Sequence, residues 1–199
     1  MQSLTENEAK VMDFLIRNFN ERNSINQVGH RLGITPKGAY KILKKLEKMK
    51  AIIPEKIGNA IYYKPKLDEE VGKKLAEFIL VQNELNSYAK VQAEDLEKLK
   101  DLADCCILFG SVLAKGRDAK DIDTLLIIDG KNFNKAHKGL EELKGMKPKK
   151  LHDIIMTKED LMKNIKKNDE VIIDVIKTGK ILWGPEVLVE AIRNGATRQ

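Results

Sequence analysis

Two short apolar runs, each set against a polar turn, constrain this chain most. Residues 105–109 (CCILF) run directly into Gly110-Ser111, and residues 124–128 (TLLII) follow directly on Asp121-Ile122-Asp123. Continuous apolar stretches of this length, bounded by turn residues, read as buried strands. A helix over about 134–144 comes next, and residues 150–156 (KLHDIIM) read as a third strand. Strand, helix and strand in this order give an α/β layer.

The acids in that layer are out of keeping with burial. Residues two apart on a strand face the same way, so Asp121 and Asp123 present two carboxylates on one side. Like charges there repel each other and lose solvation, so a positive partner is expected, and a divalent metal is the natural one. Asp153, a lone carboxylate in the third strand, is expected to join the same site, whereas His152 beside it is expected to face outward or pack. Three carboxylates next to a Gly-Ser turn suit chemistry on a nucleoside triphosphate: metal ions bridge the phosphates, and backbone N–H groups of the turn bind phosphate oxygens. A blander reading makes Asp121 and Asp123 solubilising residues at a strand edge and Gly110-Ser111 a plain turn. It accounts for each residue singly but not for three acids flanking apolar strands.

Charge is distributed unevenly. The 199 residues carry a net charge of +6, but residues 1–66 hold 13 Lys+Arg against 6 Asp+Glu, whereas 67–199 hold 23 against 24. The excess basicity belongs to the first third, which points to two modules, one of them facing a polyanion. In that third, Thr5-Glu6-Asn7-Glu8 is a capping box opening a helix with Val11, Met12, Leu15, Ile16 and Phe19 inward. A second helix spans about 24–32 and stops at Gly33. Thr35-Pro36 starts a third, running to about Lys50, with Ala39, Ile42, Leu43, Leu46 and Met49 on one face. Lys37, Lys41, Lys44 and Lys48 form a stripe on the other, with Tyr40 beside it. Residues 51–57 and 60–63 flank a Gly58-Asn59 turn and read as a hairpin.

Other features narrow the class. No apolar run approaches the ~20 residues of a membrane span, and the N-terminus has neither the basic nor the apolar region of a signal peptide. Cys105 and Cys106 are adjacent and unsuited to a disulfide with each other, so they read as buried small hydrophobes of a reduced, cytoplasmic protein. Between 68 and 102 two helices are expected, with a break near Asn86-Ser87; they serve either dimerisation or packing between modules. The expected division is thus 1–66, a connecting helical segment 67–102, and 103–199.

Each module resembles a known family. Three helices, a tight turn and a terminal hairpin, with the segment LGITPKGAYKILKKLEKMKAI, resemble a winged helix-turn-helix. The resemblance implies double-stranded DNA as partner, the third helix in the major groove and the hairpin at the backbone. Carried onto this chain, the contacts are Thr35, Lys37, Gly38, Tyr40, Lys41 and Lys44, with Lys56 on the wing. The segment FGSVLAKGRDAKDIDTLLI resembles the signature of the DNA polymerase beta superfamily, in its minimal nucleotidyltransferase branch, over about residues 90–190. The tail KTGKILWGPEVLVEAI is similar to the strand and helix that close such domains. The fold implied is α+β: a winged helix-turn-helix followed by an α/β nucleotidyltransferase domain with a mixed sheet.

The second resemblance implies that Asp121, Asp123 and Asp153 hold two Mg²⁺ ions. Gly110, Ser111 and Lys115 would grip the triphosphate of an NTP, and NMP would pass to an acceptor hydroxyl with release of pyrophosphate. It also implies a HEPN-type helical protein as a partner. The chain departs from the family at the turn, where Gly-Ser-Arg-Ala-Arg-Gly is usual and Gly110-Ser111-Val112-Leu113-Ala114-Lys115-Gly116 stands. The alternative is a transcription regulator that uses a nucleotidyltransferase-like domain to sense nucleotide or bind a partner without turnover. The catalytic expectation requires that Asp121, Asp123 and Asp153 converge.

Overall fold

A computed structural model describes residues 4–82 and 84–195. The chain divides into two compact units, Met1–Leu80 and Val81–Gln199, and its fold class is α+β. The division falls inside the expected connecting segment 67–102.

The first unit is built on three capped helices. Helix α1 (Glu6–Arg17) opens at Thr5, whose hydroxyl accepts from Glu8 N–H while the Glu8 carboxylate accepts from Thr5 N–H at 2.9 Å. Its Val11, Met12, Leu15 and Ile16 are fully buried. A two-residue strand β1 (Asn23–Ser24) leads into α2 (Ile25–Leu32), which ends at Gly33 with φ +65°. That left-handed cap lets Ile34 N–H donate to Gly29 carbonyl at 2.8 Å and turns the chain into α3 (Pro36–Lys48). Ala39, Leu43 and Leu46 face the core. Strands β2 (Ile52–Ile57) and β3 (Ala60–Pro65) form the expected hairpin, and β1 adds to it in the antiparallel order β1-β3-β2. Helix α4 (Glu70–Leu80) packs on α1.

The second unit begins with α5 (Ser87–Leu96), capped by Asn86 at the expected break. Its sheet has the order β6-β5-β4-β7, from β4 (Cys105–Phe109), β5 (Asp121–Ile127), β6 (Lys150–Met156) and β7 (Lys180–Trp183). β5 and β6 are parallel and the other pairs antiparallel, so the sheet is mixed. The short helix α6 (Ser111–Lys115) lies between β4 and β5, and α7 (Phe133–Met146) makes the crossover that a parallel pair requires. One sheet face, with Cys106, Leu108, Ile122, Leu126 and Leu151, packs against Leu96 and Leu99 and against Leu140 and Leu143 of α7. Strand alternation sends Ile107, Leu125 and Ile127 to the other face. Helices α8 (Lys158–Lys166), α9 (Glu170–Thr178) and α10 (Pro185–Gly195) follow β6, and both α9 and α10 pack on β4. Both cysteines are free and buried; burial pushes the Cys106 thiol up to about 12, against a hydrogen bond with Thr124, as suits inert core residues. No helix among the described residues is long and apolar enough to cross a membrane.

Candidate functional site

The end of β4 and the start of β5 meet at the Gly-Ser turn. Phe109 is in register with Asp123, so the Asp123 carboxylate lies directly against Gly110. Gly110 has φ +77° and ψ −159°, a conformation essentially confined to glycine, and a Cβ there would collide with Asp123 Oδ2. Two independent constraints therefore fix glycine at this position. Ser111 follows as the first residue of α6.

The parallel pairing of β5 with β6 decides what joins the two carboxylates. Asp123 is in register with His152 and Thr124 with Asp153. Alternation places Asp121, Asp123 and His152 on one face, and Thr124 and Asp153 on the other. His152 Nδ1 lies 3.6 Å from Asp121 Oδ2 and 3.5 Å from Asp123 Oδ1. One donor atom from each of the three falls within 4.8 Å of the others. Burial and, after it, the neighbouring Asp121 charge raise the Asp123 pKa, while His152 works the other way.

Two expectations are corrected here. Asp153 does not converge with Asp121 and Asp123: it lies on the sheet face covered by α7, where its Oδ1 accepts from Lys144 Nζ at 2.7 Å. Lys144 also pairs with Glu141 at 2.8 Å, and the hydrogen bonds it donates to these two acids, Asp153 first, raise its pKa. His152, expected to face outward or pack, is exposed, and its ring also stands beside the aspartates. Lys115 lies apart as well. It lines a groove of about 490 Å³ with Asn86, Tyr88 and Arg117, and neither Gly110, Ser111, Asp121 nor Asp123 lines that groove.

On α3 of the first unit, Lys37, Tyr40, Lys41 and Lys44 are exposed, as is Lys56 on β2. Lys37, Lys41 and Lys56 have no acidic partner among the described residues, whereas Lys44 pairs with Glu47 at 2.8 Å. The Thr35 hydroxyl caps α3 by accepting from Gly38 N–H at 3.2 Å, so its oxygen already has a structural task. Gly38 is tightly placed, with Ile34 Cγ2 only 3.0 Å from where its Cβ would stand.

Comparison with known protein families, with curated proteins and with solved structures gives no match. The chemistry of the site rests on its own donors. Two carboxylates and an imidazole this close fit one divalent cation, which would relieve the repulsion that raises Asp123. Two Mg²⁺ ions shared among three carboxylates do not fit, because the third carboxylate is on the far side of the sheet. Imidazole suits Zn²⁺, Fe²⁺ and similar ions and carboxylates suit Mn²⁺ and Mg²⁺, of which Mg²⁺ favours an all-oxygen shell.

Proposed function

We propose that the protein is a DNA-binding regulator whose second unit takes up a nucleoside triphosphate on a divalent cation held by Asp121, Asp123 and His152. The observation that carries this reading is the meeting of those three side chains beside the Gly110-Ser111 turn, while Asp153 is engaged by Lys144 on the opposite face. A bound cation would supply positive charge against which phosphate oxygens can dock. The chain's own part is to hold Asp123 against Gly110, to set His152 in register with it, and to leave His152 half-exposed with Asp123 mostly covered.

Support for the DNA half comes from the helix order, the left-handed turn at Gly33, the β2–β3 hairpin and the lysines on the outer face of α3. These are the parts of a winged helix-turn-helix, in which lysines neutralise phosphates and release counterions. Calorimetric titration of ATP in the presence of Mg²⁺ or Mn²⁺ tests the nucleotide half. Binding that needs the cation and weakens at least tenfold in Asp121→Asn/Asp123→Asn is expected. Equal affinity in wild type and double variant would sink the reading.

One observation favours a second reading, nucleotidyl transfer. His152 occupies the strand position at which a third catalytic side chain faces the Asp pair, and an imidazole can accept the proton of an acceptor hydroxyl. Incubation with α-labelled NTP and divalent cation, alone and with lysate that includes helical partner proteins, separates the two. Label transferred by wild type but not by Asp121→Ala/Asp123→Ala would establish transfer and displace the non-catalytic reading.

A further inference from the structure

We propose that the lysine-lined cleft at the corner between α7 and β6 is a polyphosphate-binding site, which seats the phosphate chain of a nucleotide whose cation stands at Asp121 and Asp123. This rests on the nucleotide-binding reading above and adds where the phosphates lie. The cleft, of about 590 Å³, is lined by Lys144, Lys147, Lys149, Lys150, His152 and Asp153. That is the size of a small-ligand pocket.

Its positive charges are unequally compensated, and the inequality is informative. Lys144 is shared between Asp153 and Glu141. Lys147, its side chain only 3% exposed, donates to Gln92 Oε1 at 2.5 Å and pairs with Asp95 at 2.8 Å. These two lysines anchor the corner. Lys149 instead donates to the carbonyl oxygens of Arg117 and, at 2.6 Å, of Ala119, with its Nζ 4.8 Å from the Tyr88 ring centroid. Carbonyls and a ring face hold an ammonium group in place without cancelling its charge. Lys150 is exposed, has no acidic partner among the described residues, and is in register with Asp121.

Lys150 and His152 are two apart on β6 and face the side of the aspartate pair. The cleft and the carboxylate site therefore share His152. A cation on the aspartates and an anion on the lysines are neighbours at this edge of the sheet. A polyphosphate carrying its divalent ion satisfies both at once, which a neutral ligand does not. The phosphate contact expected of Lys115, which lines the other groove, passes to Lys150, with Lys149 adding charge from the place where the Arg117 and Ala119 carbonyls hold it.

The test is calorimetric titration of the full chain with tripolyphosphate and with ATP, each with Mn²⁺, at low salt. Lys149→Gln/Lys150→Gln is expected to lower both affinities at least tenfold. Lys150→Gln alone removes no structural bond, keeps the melting temperature, and is expected to lower them several-fold; Lys135→Gln, on α7 outside the cleft, changes neither. If the lysine variants bind like wild type while Asp121→Asn/Asp123→Asn loses ATP, the cleft assignment is overturned and the nucleotide reading stands. If tripolyphosphate binds through Lys149 and Lys150 but ATP shows no dependence on the aspartates, the cleft stands and the nucleotide reading falls. Binding of neither ligand overturns both. Displacement of tripolyphosphate by a single-stranded oligonucleotide that binds more tightly than ATP overturns the polyphosphate assignment in favour of nucleic acid.

Discussion

Gly110 and Asp123 are coupled by one close approach, and each can be perturbed separately. Gly110→Ala forces a side chain into a glycine-only backbone conformation, at a cost of about 1–3 kcal/mol, and pushes the Asp123 carboxylate aside. Lowered melting temperature together with weaker cation binding is the expected outcome in calorimetry; an unchanged cation affinity contradicts the coupling. Asp123→Asn acts differently. Its carboxyl is raised above the ordinary 3.8, by burial first and by Asp121 second. A raised folded pKa favours the protonated form, so this contribution to stability is present below the unfolded pKa and is lost as pH rises through the folded value. At neutral pH the ionised pair therefore works against folding. Thermal melts of cation-free Asp123→Asn should show a higher melting temperature than wild type at pH 7, with the difference vanishing at low pH. Glu8 carries the opposite sign. Burial raises its pKa, but hydrogen bonds from Lys45 and from Thr5 N–H outweigh it, and the net shift is downward from 4.5. Its stabilisation is present above the unfolded pKa and lost as pH falls through the folded value. Glu8→Gln should flatten the acid limb of the first unit's stability profile, measured by chemical denaturation between pH 3 and pH 7.

At the scale of elements, what was legible followed local rules. The capping box at Thr5, the stop of α2 at Gly33, the proline start of α3 and the Gly58-Asn59 hairpin are each set by a few neighbouring residues. The break at Asn86 was legible too, though not its second duty: Asn86 Nδ2 donates to the carbonyls of Val112 and Leu113 at 2.9 and 3.0 Å and ties α5 to α6. Asn86→Ala removes both cap and tie, and urea denaturation should find the second unit destabilised by roughly 1–3 kcal/mol; a destabilisation below about 0.5 kcal/mol would contradict that double role. Within the site, the Asp121/Asp123 pair and its turn could be read because period 2 is a local property. The partner on β6 could not. Which of His152 and Asp153 faces the pair depends on parallel register across a fourteen-residue crossover helix, and a shift of one residue exchanges them. The strand β1, two residues long, was likewise missed because only its pairing with Tyr62 and Tyr63 defines it.

For the molecule as a whole, the unequal charge matches a different kind of phosphate recognition proposed for each unit. In the first, the exposed lysines on α3 would meet a polyanion directly. A mobility-shift titration over a range of salt should show affinity falling steeply with ionic strength. Lys37→Gln/Lys41→Gln should flatten that slope by roughly one unit for each lysine that no longer neutralises a phosphate. A slope equal to wild type would remove those lysines from the interface. In the second unit, where the site carries two carboxylates, phosphate would be met, as proposed, through a cation and through Lys149 and Lys150.

Asp121, Asp123 and His152 are the side chains that would hold the proposed cation. Titration of the full chain with Mn²⁺, followed by the electron paramagnetic resonance signal of the free ion, measures this without nucleotide or turnover. One bound ion per chain is predicted, weakened at least tenfold by Asp121→Asn/Asp123→Asn and by His152→Ala, and left unchanged by Asp153→Asn. Loss of binding in Asp153→Asn with retention in His152→Ala would contradict it.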